Sequence, residues 1–132
     1  MLLVKTRLDK SSIQGIGLFA DESIKRGTKL WRFEPKLDLL LSKDEAEQLS
    51  ESARKQFYNY AYLDKERDKY LLCGDDARFW NHSNNPNCDE TTDNDSTFAA
   101  RDIQKGEELT INYSDFYGNM NEHPEIVSQR VG

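Results

Sequence analysis

The chain has 132 residues, 36% of them hydrophobic and 32% charged, with a formal net charge of −6. That is one domain's worth of chain, long enough to bury a core without disulfides or a structural metal, and it holds no apolar run long enough to cross a bilayer. The acidic balance repels nucleic-acid phosphates and attracts basic peptides, so direct nucleic-acid binding is disfavoured.

In chain order, residues 1–7 are charged too early for a secretory leader. An intracellular protein is therefore expected, cytoplasmic in the first instance, with nuclear or host-delivered placement as alternatives. Val4-Lys5-Thr6-Arg7-Leu8 alternates as a half-buried strand does. A glycine-flanked turn follows at Gln14-Gly15-Ile16-Gly17, then a short strand at Leu18-Phe19-Ala20 and another at Lys29-Leu30-Trp31-Arg32-Phe33. Ser42-Lys43-Asp44-Glu45 has the form of a capping box and opens a helix to about Leu49. Residues 52–62 read as a second, aromatic-rich helix or irregular segment. Residues 36–68 together form a helical insert between two β-rich halves of a single domain over 1–132. The strand pattern resumes at Tyr70-Leu71-Leu72-Cys73, and Asp75 and Asp76 cap a helical turn running to Trp80. Asn84-Asn85-Pro86-Asn87 is turn chemistry. Residues 97–100 and 108–113 are the last strands, and 114–132 form an irregular tail.

One echo runs through the chain. Phe19-Ala20, Ile24, Gly27 and Leu30 recur as Phe98-Ala99, Ile103, Gly106 and Leu109, each shifted by 79 positions (Phe19 to Phe98). Both copies read as strand, tight turn at a basic-Gly pair, strand. They predict two similar sheet elements flanking the insert, too few for a solenoid.

Three segments could carry chemistry. Gly15-Ile16-Gly17 lets backbone approach a ligand, but it lacks the third glycine and the strand–helix setting of a dinucleotide fingerprint. Arg78-Phe79-Trp80-Asn81-His82-Ser83-Asn84-Asn85-Pro86-Asn87-Cys88 offers donors, acceptors and stacking faces for a polar aromatic ligand. Its alternative is an Asn-rich loop with satisfied side chains. Gly106-Glu107-Glu108-Leu109-Thr110-Ile111-Asn112-Tyr113 is a turn and a strand that ends in a tyrosine, by itself an ordinary core or rim aromatic. Cys73, Cys88, His82 and His123 fit no compact zinc spacing, so no metal is expected. His82 and Ser83 are sequence neighbours and cannot readily face one another as a nucleophile and base.

In this order the three segments resemble the SET-domain protein lysine methyltransferases, over about residues 3–117. The resemblance implies a mainly β fold, small sheets around a knot-like crossing where the Asn-His segment passes the C-terminal strand, with a variable helical insert that helps select substrate. It implies methyl transfer from S-adenosylmethionine to the ε-amine of a lysine in a basic, histone-like protein or peptide. Gly15, Ile16, Gly17 and Asn81 would meet the cofactor's amino-acid end, and His82 its adenine through backbone. Arg78 and Phe79 would border it. Tyr113 would stand at the lysine channel with its hydroxyl near the sulfonium methyl, and Phe33 would line that channel, with a plain core role as its alternative.

The chain departs from the family pattern in lacking a zinc-binding cysteine cluster after Tyr113. Either Phe116 and Tyr117 cover the adenine instead or the tail closes only on substrate, and an unclosed edge there allows a homodimer. Two other functions fit the same fold: a catalytically silent module that binds peptide or cofactor, and a methyltransferase acting on a non-protein amine.

Overall fold

The computed structural model describes residues 1–64, 66–90 and 95–113. The chain opens with a hairpin of β1 (Thr6–Lys10) and β2 (Ile16–Ala20), paired Thr6 to Ala20 through Lys10 to Ile16. β1 lies largely exposed, with Leu8 37% accessible, where the alternation of residues 4–8 had predicted half-burial. Among the described residues its only sheet partner is β2, and its side chains lie mostly open to solvent. β2 carries the buried side, Leu18 and Ala20.

β3 (Lys29–Arg32) follows, then β4 (Leu39–Leu41), α1 (Lys43–Glu47), α2 (Glu51–Tyr60), β5 (Tyr62–Asp64) and β6 (Lys69–Leu72). The expected capping box is present: Ser42 Oγ accepts from Glu45 N–H at 3.1 Å and the Glu45 carboxylate accepts from Ser42 N–H at 3.0 Å. The insert is more than helical, however. β4, β6 and β5 form their own three-stranded antiparallel sheet. The strand at 70–73, read as belonging to the second half, pairs instead with both insert strands. Phe57, Tyr58 and Tyr70 explain the preference. Their rings meet edge-on at 5.4–5.9 Å, so β6 supplies the aromatic against which α2 buries its apolar face. The insert closes where Gly74 meets it: a Cβ there would sit 2.0 Å from Leu37 O. Nearby, the Asp38 carboxylate, with its side chain fully buried, accepts from Gly74 N–H (3.0 Å) and Glu34 N–H (2.9 Å).

A 3₁₀ turn, Asp76–Phe79, capped by Asp75, leads into β7 (Asn81–His82), β8 (Cys88–Asp89), β9 (Ser96–Ala99) and β10 (Thr110–Ile111). β3, β9 and β8 form a second three-stranded antiparallel sheet, while β7 and β10 lie side by side in parallel. The Asn-His segment thus runs beside the C-terminal strand.

The 79-residue echo is an approximate two-fold in the hydrogen bonding. Ile24 and Ile103 exchange both of their backbone bonds at 2.8 Å. Gly27 N–H donates to Ala99 O and, in the matching place, Gly106 N–H donates to Ala20 O, both at 2.8 Å. Gly27 and Gly106 hold φ of +85° and +95°, which explains a glycine at both turns. Leu18, Leu30, Ile103, Leu109, Ile111 and Tyr113 are almost wholly buried between the two elements and the β7–β10 pair.

Candidate functional site

Three segments distant in sequence converge beside the β7–β10 pair. The first is the β1–β2 loop. Ser11 N–H donates to Gly15 O at 2.8 Å, and Ser11 Oγ accepts from the N–H groups of Ile13 (2.9 Å) and Gln14 (3.2 Å). Gly15 closes this loop at φ +49°, with open space where a Cβ would point.

The second segment is the 3₁₀ turn and β7. Arg78 donates to Cys73 O at 2.9 Å and lies 5.8 Å over the Tyr60 ring, and Tyr60 meets Phe79 edge-on at 5.4 Å. Among the described residues Arg78 has no carboxylate partner. The third is the end of β10, which delivers Tyr113. Its hydroxyl donates to Trp80 O at 3.0 Å and its N–H donates to His82 Nδ1 at 3.1 Å. Because a backbone N–H can only donate, Nδ1 is the acceptor and the imidazole proton sits on Nε2, facing Asn84 Oδ1 at 3.0 Å.

A cavity of about 270 Å³ opens where they meet. Gln14, Gly15 and Ile16 form one wall, Asn59 and Tyr60 of α2 another, and Arg78, Phe79, Trp80, Asn81 and Tyr113 the rest. Of the residues nominated from sequence, Gly15, Ile16, Arg78, Phe79, Asn81 and Tyr113 share this cavity. Gly17 and His82 stand behind its lining. Phe33 lies apart from it, beneath the Arg67 guanidinium at 5.4 Å. Phe116 and Tyr117 fall outside the described residues. Tyr60 and Asn59 belong to no motif in the sequence; the aromatic density of residues 52–62 is the signal that points to them.

Asn81 sets the polarity of the cavity. Its Nδ2 donates to Glu108 Oε2 (2.9 Å) and Gln14 O (3.1 Å), with Ile16 O farther at 3.4 Å. Those acceptors use both amide hydrogens, and no described donor reaches Oδ1. The cavity is therefore offered an acceptor by Asn81 and a cation by Arg78, between aromatic faces. Elsewhere in the Asn-rich segment, Asn87 is structural. Buried Asn87 accepts from Thr110 N–H at 2.9 Å and donates to Glu108 O at 2.8 Å, tying that loop to β10. Neither cysteine is poised for chemistry: burial drives the Cys73 thiol's pKa up and pushes that of Cys88 up to about 12.

Small antiparallel sheets, a parallel strand pair joining distant segments and an amphipathic cavity beside that pair define a β-rich fold. The SET-domain family model matches residues 15–114, and the chain belongs to the SET-domain family. It is similar to the Drosophila melanogaster histone-lysine N-methyltransferase trr, 34% identical over 113 residues, or 80% of this chain. The chain spans only 5% of that relative's length. Among solved structures it resembles Polycomb Repressive Complex 2 of Chaetomium thermophilum, with a TM-score of 0.66 and 25% identity over 90% of this chain and 17% of that one. A candidate histone methyltransferase of Plasmodium falciparum shares the fold, with a TM-score of 0.59 and 24% identity over 85% of this chain and 95% of that one.

Proposed function

We propose that this protein transfers a methyl group from S-adenosylmethionine to the ε-amine of a lysine in a basic protein or peptide. The observation that carries this is the assembly of Asn81, Arg78, Gly15, Ile16, Phe79 and Tyr113 around one cavity. The donor set suits the cofactor. A zwitterionic amino-acid end needs an acceptor for its ammonium and a cation for its carboxylate, which Asn81 Oδ1 and Arg78 supply. An adenine needs π-faces, which Tyr60, Phe79 and Trp80 supply. The cavity is near the lower end of small-ligand clefts in size. When bound, the cofactor supplies a methyl on a cationic sulfur, which passes to a neutral lysine nitrogen as the carbon–sulfur pair returns to sulfur.

The chain's own part is alignment and exclusion of water. Tyr113 is 1% exposed, and its hydroxyl proton is committed to Trp80 O. That bond fixes the direction of the oxygen's lone pairs. They suit weak acceptance from polarised C–H groups, which orients without reacting. Phe33 is the proposed wall of the lysine path; an unmoved number of added methyls in Phe33→Tyr removes it from that role. The net charge of −6 supports a basic substrate.

Calorimetric titration with S-adenosylmethionine, beside an Asn81→Ala control, tests the cofactor site, and labelled methyl transfer onto lysine peptides tests the reaction. Saturable binding lost in the control, with label appearing on lysine, is expected. A folded wild type that neither binds the cofactor nor labels any peptide refutes the proposal.

A further inference from the structure

Glu108 lies outside the cavity lining, yet it holds one of the residues that line it. Its carboxylate reaches across β2 to the β1–β2 loop, where Ser11 Oγ lies 2.8 and 2.9 Å from the two oxygens. The Ser11 hydroxyl already accepts two backbone N–H groups, so its own proton is free only to donate, and it donates to Glu108. Oε2 also accepts from Asn81 Nδ2 at 2.9 Å. The fold makes room for this arm. A Cβ on Gly17 would lie 2.3 Å from Oε2, so the buried glycine is needed for the carboxylate to pass.

An asparagine amide can present either end to a ligand. Here a flip would set Oδ1 against the Glu108 carboxylate and the Gln14 carbonyl, acceptor against acceptor. The carboxylate therefore makes one orientation overwhelmingly favourable, the one that turns Oδ1 to the cavity.

We propose that Glu108 is a positioning residue that locks the Asn81 amide so that the site accepts a ligand ammonium, with Ser11 holding the carboxylate in place. The assignment rests on the cofactor site proposed above. Glu108→Gln keeps the size of the side chain but sets an N–H₂ group against either Asn81 or Ser11, both donors.

The test is calorimetry with S-adenosylmethionine on wild type, Glu108→Gln, Asn81→Ala and the double variant, with thermal melting of each unliganded protein. Glu108→Gln is expected to weaken cofactor binding about tenfold, the loss of roughly one charge-assisted hydrogen bond. The KM for peptide and the kcat at saturating cofactor should stay within about twofold, because the locked amide is spent on binding. In the Asn81→Ala background the Glu108 substitution should change binding by less than about twofold. Fully additive losses, or a Glu108→Gln protein that binds like wild type, overturn the positioning role and leave the cofactor site intact. A wild type that does not bind removes both. If Glu108→Gln does not fold, Ser11→Ala replaces it, with the same non-additivity expected against Asn81→Ala.

Discussion

Replacing Gly17 by alanine tests how the site is built. The new Cβ would lie 2.3 Å from Glu108 Oε2, 2.8 Å from its Cδ and 3.1 Å from Ser11 Cβ. Two of those atoms belong to one carboxylate, and no real contact is that short, so Glu108 must leave its position. Leaving breaks its hydrogen bonds to Ser11 and Asn81, each worth roughly 1.5–3 kcal/mol as charged pairs. Glu108 is half-buried, so water recovers part of the loss. A net destabilisation of about 2 kcal/mol is expected, lowering the Tm by roughly 6–10 °C in a chain of this size. Gly15→Ala is the contrast. It meets open space but needs φ +49°, and should cost only ~1 kcal/mol. Differential scanning calorimetry of both variants, and of Gly17→Ala combined with Glu108→Ala, reads the difference. With the carboxylate removed, the alanine at 17 should cost much less than it does alone. Equal costs in the two backgrounds would refute the claim that Gly17 exists to admit Glu108.

Tyr113→Phe removes a hydroxyl committed to Trp80 O; it should leave cofactor affinity within about threefold while lowering kcat at least ~10-fold, as loss of an orienting group does, measured by single-turnover transfer. The two buried thiols should resist aromatic disulfide reagents at about pH 8 and react only in denaturant, since burial raises both pKa values; fast labelling of the native protein would contradict their packing. Glu45 has its pKa lowered from 4.5, chiefly by the backbone hydrogen bond from Ser42. Its contribution to α1 is therefore present above the unfolded value and lost as pH falls through the lower folded value. Amide exchange at Ser42 should accelerate, relative to neighbouring amides, on acidification through that range, and a Glu45→Gln variant should lose this dependence. Gly74→Ala, whose Cβ would lie 2.0 Å from Leu37 O, meets backbone that cannot rotate away and should destabilise more than Gly17→Ala in the same melting assay.

The local signals in the chain were sufficient for local structure. The Ser42–Glu45 capping box, the Asp75 cap and the basic-Gly turns each act within a few residues, so spacing alone specifies them. The resemblance named six of the cavity residues because Gly15, Arg78, Asn81 and Tyr113 stand in a recognisable order. Pairing across the chain was less legible. β6 looks the same whether it joins the insert or the second half, and only the ring contacts with Phe57 and Tyr58 decide. Spacing in β7 does not announce a partner at β10; only the resemblance set the Asn-His segment beside the C-terminal strand, where the parallel pair lies.

The sequence by itself determined an acidic, mainly β fold, and its resemblance named Gly15, Ile16, Arg78, Phe79, Asn81 and Tyr113 around the cavity. Only the tertiary structure assigned those residues their tasks. Gly15 and Gly17 read as one motif, yet one supplies a backbone conformation and the other an empty volume. Glu108 read as part of a turn, yet its carboxylate joins Ser11 to Asn81. Hydrogen bonds and steric gaps depend on distances between residues far apart in the chain, and a linear spacing does not contain those distances until the core has packed.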